Sequence, residues 1–408
     1  MQDRRKSGLW LIAFLLILFA LAGGCSNVPD QAPDSVAVSM NLGTTRGGPS
    51  IFLIDTETGD RWERWFSDLN VPGEPMHTAL AIDRRSMFVT MSGDMIHPLR
   101  LLVIDIAWPN GEPELTLRNT HEVLAANTGG GIKQEGHGPH ITHDERFLLF
   151  SEMQNNRLRV YDIESDTLLP PISHETLRTP HGLWPNPSHD LIAVPSYRFD
   201  AYHLSIWTYD GNGGLTFDRE ITLTGSDPRG VDGTIHGAHH HSITWLDDNR
   251  LLIDSTQRLS DGAPNTAMAS VWLVDLRTDT TTPILREVDA EHASDGVLEA
   301  VSYNLIANNK LYVCEGSFPQ GFDAPGYLSI WDISDMSNPT LITRWSAGNG
   351  LPDSFRQCHE LAKTPDGRYV FVQSFASDAF IQIDTSDDTI AHSWDRESMR
   401  VPHGIYVR

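Results

Sequence analysis

From about Ser35 onward, apolar residues do not recur at helical spacing. They fall in short alternating runs rich in β-branched and aromatic side chains, broken by Gly, Pro, Asn and Asp, a pattern that predicts half-buried strands joined by turns. The clearest unit is 358–394, CHELAKTPDGRYVFVQSFASDAFIQIDTSDDTIAHSW. It reads as four strands: HELAKT, a PDG turn, RYVFVQS, AFIQIDT and, after a polar turn, IAHSW. The same order returns five times upstream, beginning at Met76, His137, Pro180, His240 and Val301.

Six complete units leave the chain ends. SVAVSM, SIFLIDTETG and RWERWF are three strands lacking a first one, and the terminal PHGIYVR is a first strand lacking its followers. Joining them makes a seventh unit and closes a circle, which hides the strand edges that an open sheet would expose. The predicted fold is an all-β, seven-bladed β-propeller over 35–408, closed by the C-terminal strand completing the N-terminal blade.

Unequal loop lengths distinguish the two faces. Turns from first to second and from third to fourth strands are short (TPDG, NPSH, LDDN, ETG, ESDT). The long segments 122–136, 224–239, 257–268, 316–326 and 347–357 all belong to the opposite face, here called the top, where the innermost strands begin. Long loops on one face of a rigid scaffold are where binding and chemistry concentrate. Drift of loop length without function is the other reading.

Histidine changes the picture most, with 18 in the chain. Aligned on the second-strand residues Phe150, Val194, Ile253, Val313 and Val372, the same count back reaches His137, His181, His240, Ala300 and His359. Blade two offers His77 and the closing strand His403, while Glu299 stands beside the exceptional Ala300. Six histidines at the start of innermost strands are expected to converge on the central channel. Imidazole suits Cu, Zn, Fe and Ni, whereas Ca and Mg want oxygen. The ring therefore predicts a transition-metal site, with copper first and iron or zinc as alternatives; a water-filled polar channel is the bland reading. Glu299 is the candidate ligand or general base. Three or four histidines would suffice as ligands, the rest orienting them. His140, His236, His239 and His241 cluster near the ring, while His143 and His189 fall in bottom turns and are expected at the surface.

The first residues read as an export signal: a basic segment at Arg4-Arg5-Lys6, an apolar run from Leu9 to Ala22, then small residues before Cys25. This layout resembles a bacterial lipoprotein signal, which implies cleavage after residue 24, acylation of Cys25, a tether over 25–34 and a periplasm-facing or surface-exposed place at the outer membrane. An uncleaved anchor is the alternative. The formal net charge of −24 argues against nucleic acid or an anionic lipid surface as partner. Membrane contact is expected only through Cys25. The other two cysteines, Cys314 and Cys358, end a second strand and open the next blade; a disulfide, buried thiols and a ligand role for Cys358 all remain open.

PDGRYVFVQS…FIQIDTSDDTI resembles the YVTN-type repeat of secreted bacterial propellers. Histidines projecting from the blades into a hub resemble nitrous oxide reductase, although the separate cysteine-bearing copper domain of that family has no counterpart here. LSIWDISDMSNPTLITRW resembles selenium-binding protein/methanethiol oxidase. These resemblances imply a metal-dependent oxidoreductase acting on a small molecule admitted at the top face. A lactonase-like hydrolase or lyase, and a non-catalytic propeller binding metal or a protein partner, are the competing readings. No G-x-S-x-G motif or phosphate-cradling Gly-rich loop is present.

Overall fold

The computed structural model describes residues 32–44, 48–126, 133–197, 203–222, 235–239, 241–259, 267–286, 301–316, 326–374, 377, 379–394 and 399–408. The expected signal segment 1–24, Cys25 and most of the expected tether lie outside them. Seven small sheets, antiparallel save for one short parallel pairing in blade six, are arranged as the seven blades of a β-propeller. Blade two (Pro75–Leu80, Ser86–Met91, Leu99–Ala107, Glu114–Leu124) and blade seven (Cys358–Lys363, Tyr369–Ser374, Phe380–Asp384, Thr389–Trp394) show the plain four-stranded meander. Blades three, five and six each carry one extra short strand.

The circle closes through the chain ends. Met399–Val407 pairs antiparallel with Val36–Thr44, with Val407 opposite Ala37 and Tyr406 opposite Val38. Val36 N–H donates to the Arg408 carbonyl at 2.6 Å, and Arg408 N–H returns to Val36 at 3.0 Å. The first blade is thus locked by the last strand.

Strand side chains alternate between faces, and here both faces of each blade are covered by neighbours. In the second strand of blade three, Phe147 and Leu149 pack toward blade four, against Ile192, Val194 and Trp207. Leu148 and Phe150 pack the other way, onto Phe88, Leu101 and Val103 of blade two. Among the described residues, each of the seven blade-to-blade interfaces has its own apolar cluster. This is why second and third strands read as nearly continuous apolar runs while fourth strands alternate with solvent, as Thr389–Trp394 does.

The bottom turns repeat one device. Thr142 Oγ1 donates to Asp144 at 2.6 Å and accepts from Phe147 N–H at 3.1 Å; Thr364 does the same with Asp366 and Tyr369 at 2.6 and 3.0 Å. His143 and His189 sit in such turns and are exposed, each facing an aspartate of the next blade: Asp190 at 3.6 Å and Asp248 at 2.7 Å. Cys314 and Cys358 form a disulfide joining the second strand of blade six to the innermost strand of blade seven.

Candidate functional site

The innermost strands are short and irregular because each must release a side chain into the hub. Bulges interrupt their pairing between Pro75 and His77, His137 and His140, Val301 and Tyr303, and Cys358 and Glu360. His77, His137, Tyr303 and Glu360 occupy corresponding places, opposite Thr90, Ser151, Cys314 and Gln373 of their second strands. His359 sits within the bulge, one residue earlier. Close approach of the strands depends on the glycines after two of these histidines. Gly138 and Gly182 have φ of +51° and +99°, and a Cβ on Gly138 would lie 2.6 Å from the Gly182 Cα.

Six buried side chains form a closed circuit. Ring centroids are 4.7 Å apart for His77–His137, 4.5 Å for His137–His181, 4.2 Å for His181–His241 and 4.9 Å for His241–His359. Glu360 completes it, with Oε1 3.6 Å from His359 Nδ1 and 3.7 Å from His77 Nδ1. All six side chains are nine-tenths buried or more. Tyr197 stacks on His181 at 4.6 Å, and Tyr303 of blade six stands edge-on to His241 at 5.3 Å.

Of the residues singled out in the sequence, His77, His137, His181 and His359 come together here. His240 and Glu299 lie outside the described residues. His403 is placed opposite Met40 in the closing strand, and its side chain lies outside the described part. Blade five contributes His241, one residue after the position reached by counting. A constant offset presumes the same bulge in every blade, whereas Ile243 pairs with Ile253 and His241 N–H is tied to the Asp254 side chain at 2.6 Å.

Glu360 and Asp254 are the acids that counting missed. Burial pushes Glu360 up to about 8, against the opposing pull of the Gly404 and Ile405 amides. Burial likewise raises Asp254 to about 8, although it accepts hydrogen bonds from Ser242 Oγ and from the amides of His241 and Ser242. Burial also acts on Glu135, but His137, Lys133 and Gln154 outweigh it and hold that carboxyl down at about 2. The signal for Glu360 was present in the sequence: an acid directly follows the hub histidine in CHE. Only the strand register shows that it, and not its neighbour, matches His77 and His137.

The donor set, five imidazoles with one carboxyl, has the chemistry of a transition-metal site. His77 Nε2 and His137 Nδ1 stand 2.9 Å apart, close to the span of two ligands on one ion with bonds of about 2.0–2.1 Å. Elsewhere the nitrogens are turned to other partners: His181 Nδ1 lies 3.2 Å from the His241 carbonyl and His137 Nε2 lies 3.2 Å from Glu135. Among the described residues no group of three or more His, Cys, Asp or Glu closes on a single point.

Below the ring, toward the bottom face, lies a cavity of about 200 Å³. Glu360 and His77 line its inner end, and Asn304, His140, Trp184 and Tyr303 contribute to its walls. Burial holds His140 down to about 4, so this imidazole, packed between Trp184 and Tyr406, is neutral at physiological pH.

No family model matches the chain, and no curated protein matches it. Solved structures do. The periplasmic gluconolactonase of Pseudomonas aeruginosa is 14% identical with a TM-score of 0.60, covering 91% of this chain and 99% of that one. A putative 6-phosphogluconolactonase from Bacteroides uniformis is 13% identical with a TM-score of 0.60, covering 92% and 100%. A dihydro-haem d1 dehydrogenase is 14% identical with a TM-score of 0.53, covering 95% and 78%. At such identities the likeness is one of fold, and the chain is a seven-bladed β-propeller similar to those of lactonase-like proteins and a haem d1 dehydrogenase.

Proposed function

We propose that the hub ring is a transition-metal site, with copper favoured, and that the protein is an exported oxidoreductase acting on a small molecule. The closure of five buried imidazoles and one carboxyl around the hub carries this reading; structural packing alone does not call for so many. His77 and His137 would hold the ion, with His181, His241 and His359 as the further pool, and with His240, His403 and Glu299 kept as candidates from the sequence. When bound, such a metal supplies one-electron chemistry or polarises a ligand oxygen. The chain's own residues do the rest. Glu360 keeps a proton at its carboxyl between His77 and His359, Glu135 orients His137 through Nε2, and Tyr197 and Tyr303 cover the ring and keep water from it. A lipid anchor at Cys25 in the outer membrane belongs to the same reading, and the Cys314–Cys358 bond accords with an oxidising compartment.

A second reading, lactone hydrolysis, is favoured by one observation: Glu360, protonated up to about pH 8, borders a cavity large enough for a small ring. Two gluconolactonase-like structures share the fold.

Metal content by mass spectrometry on protein purified without chelator tests the leading reading. About one copper, iron or zinc per chain is expected, lost in a His137→Ala/His359→Ala variant. A chain that stays empty after incubation with all three metal salts overturns it. Gluconolactone hydrolysis by the metal-free protein, abolished by Glu360→Gln, would favour the second reading.

A further inference from the structure

We propose that the cavity below the ring binds an uncharged, hydroxyl-bearing ring compound the size of a monosaccharide, admitted from the bottom face. The innermost strands run from the ring toward that face, and the cavity is walled by their later residues, including Thr78, Thr244, Leu305, Ala362 and Val407. Its volume of about 200 Å³ exceeds the roughly 150 Å³ of a cavity that accepts benzene.

The polar wall specifies what the ligand must offer. Asn304 is 2% exposed. Its backbone N–H and its Nδ2 both donate to Ser242 Oγ, at 2.9 and 3.0 Å, while that hydroxyl donates to Asp254 at 2.7 Å. Donating to Asp254, the hydroxyl turns its lone pairs to Asn304 and accepts both contacts. Asn304 lines the cavity, and its Oδ1 is left buried without a hydrogen-bond partner. Such an acceptor costs about 1–3 kcal/mol until a donor reaches it. A hydroxyl on the ligand supplies that donor.

The remaining walls specify the body of the ligand. Trp184, Tyr303 and Tyr406, with Leu361 and Ile405, present apolar faces suited to the C–H face of a ring. An anion finds no welcome. Lys363 is the one lysine or arginine among the lining residues, and its Nζ is committed to the Ile306 carbonyl at 2.7 Å. The chain as a whole carries a formal charge of −24, which adds to the disadvantage of an anion.

This site needs no metal, so its test is run on the full chain after chelation and stands or falls apart from the ring's metal content. D-glucose and cis-1,2-cyclohexanediol are titrated by calorimetry and by saturation-transfer NMR, with cyclohexanecarboxylate as the anionic control. About millimolar affinity or better is expected for at least one neutral probe, and roughly tenfold weaker binding for the carboxylate. Ala362→Phe, two residues beyond Glu360 on the same face of its strand, fills empty space and should abolish binding. Asn304→Leu removes the acceptor and should weaken it roughly tenfold. If Asn304→Leu does not fold, Ala362→Phe decides alone. Absence of binding by both neutral probes, binding unaffected by Ala362→Phe, or preference for the carboxylate each overturns the proposal; in the first case the cavity holds water.

Discussion

His77 Nε2 and His137 Nδ1 stand 2.9 Å apart in the buried hub, so one ring donates and the other accepts. The direction follows from the far ends of the chain. Glu135 is ionised at neutral pH and faces His137 Nε2 at 3.2 Å, so with the rings neutral the proton of His137 lies on Nε2. Its Nδ1 must then accept from His77 Nε2–H, which turns the bare Nδ1 of His77 toward the protonated Glu360, 3.7 Å away. Two carboxyls of opposite state thus orient two imidazoles between them.

Long-range nitrogen-15 spectra of chelated protein at neutral pH should show both His77 and His137 as Nε2–H tautomers. Glu135→Ala removes the acceptor that holds the order, and the His137 signal should move toward a tautomer mixture. A wild-type His137 carrying its proton on Nδ1 would contradict the assigned direction.

Stability should fall as pH rises through neutrality. Asp254 and Glu360, ordinarily near 3.8 and 4.5, stay protonated in the folded chain up to about 8. The unfolded chain releases these protons first, so their contribution is full below about pH 4 and is lost as pH climbs to about 8. His140 has the opposite sign. Held at about 4 from an ordinary 6.5, it weakens the fold as pH drops below 6.5. The two acids therefore act unopposed between about pH 6.5 and 8, each worth up to about 1.4 kcal/mol per pH unit. Denaturant midpoints across that interval should decline, and Asp254→Asn should roughly halve the slope. An unchanged slope in the variant would refute the role given to Asp254.

The Cys314–Cys358 bond spans 44 residues and ties blade six to blade seven beside His359. Closing a loop of that length in the unfolded chain is worth about 2–4 kcal/mol. A Cys314→Ser/Cys358→Ser variant should unfold at correspondingly lower denaturant, and reducing agent should lower the wild type to the same midpoint. Equal midpoints for oxidised wild type and variant would mean that the bond adds nothing.

The blade repeat was legible in the sequence because strand alternation and turn chemistry are local: RYVFVQS after PDG shows its strand without reference to anything distant. The site was legible only in part. His137 and His181 could be reached by counting, but the count depends on how many residues each bulge holds, and bulges answer to packing between strands rather than to local preference. Hence His241 stood one place away from the position reached. Glu360 was hidden for a related reason, since an acid next to a histidine has no meaning until the register shows which of the two faces the other blades.

By itself, the sequence determined the number of blades, the closure of the circle by the last strand and the gathering of histidines at the start of the innermost strands, all set by hydrophobic periodicity and turn residues. Only the tertiary structure decided the rest. It brought Glu360 between His77 and His359, turned the imidazoles toward one another, joined Cys314 to Cys358 and opened a cavity beneath the ring. Each of these relations links residues of different blades, and such contacts arise from the packing of distant segments around a common axis, which no local pattern encodes.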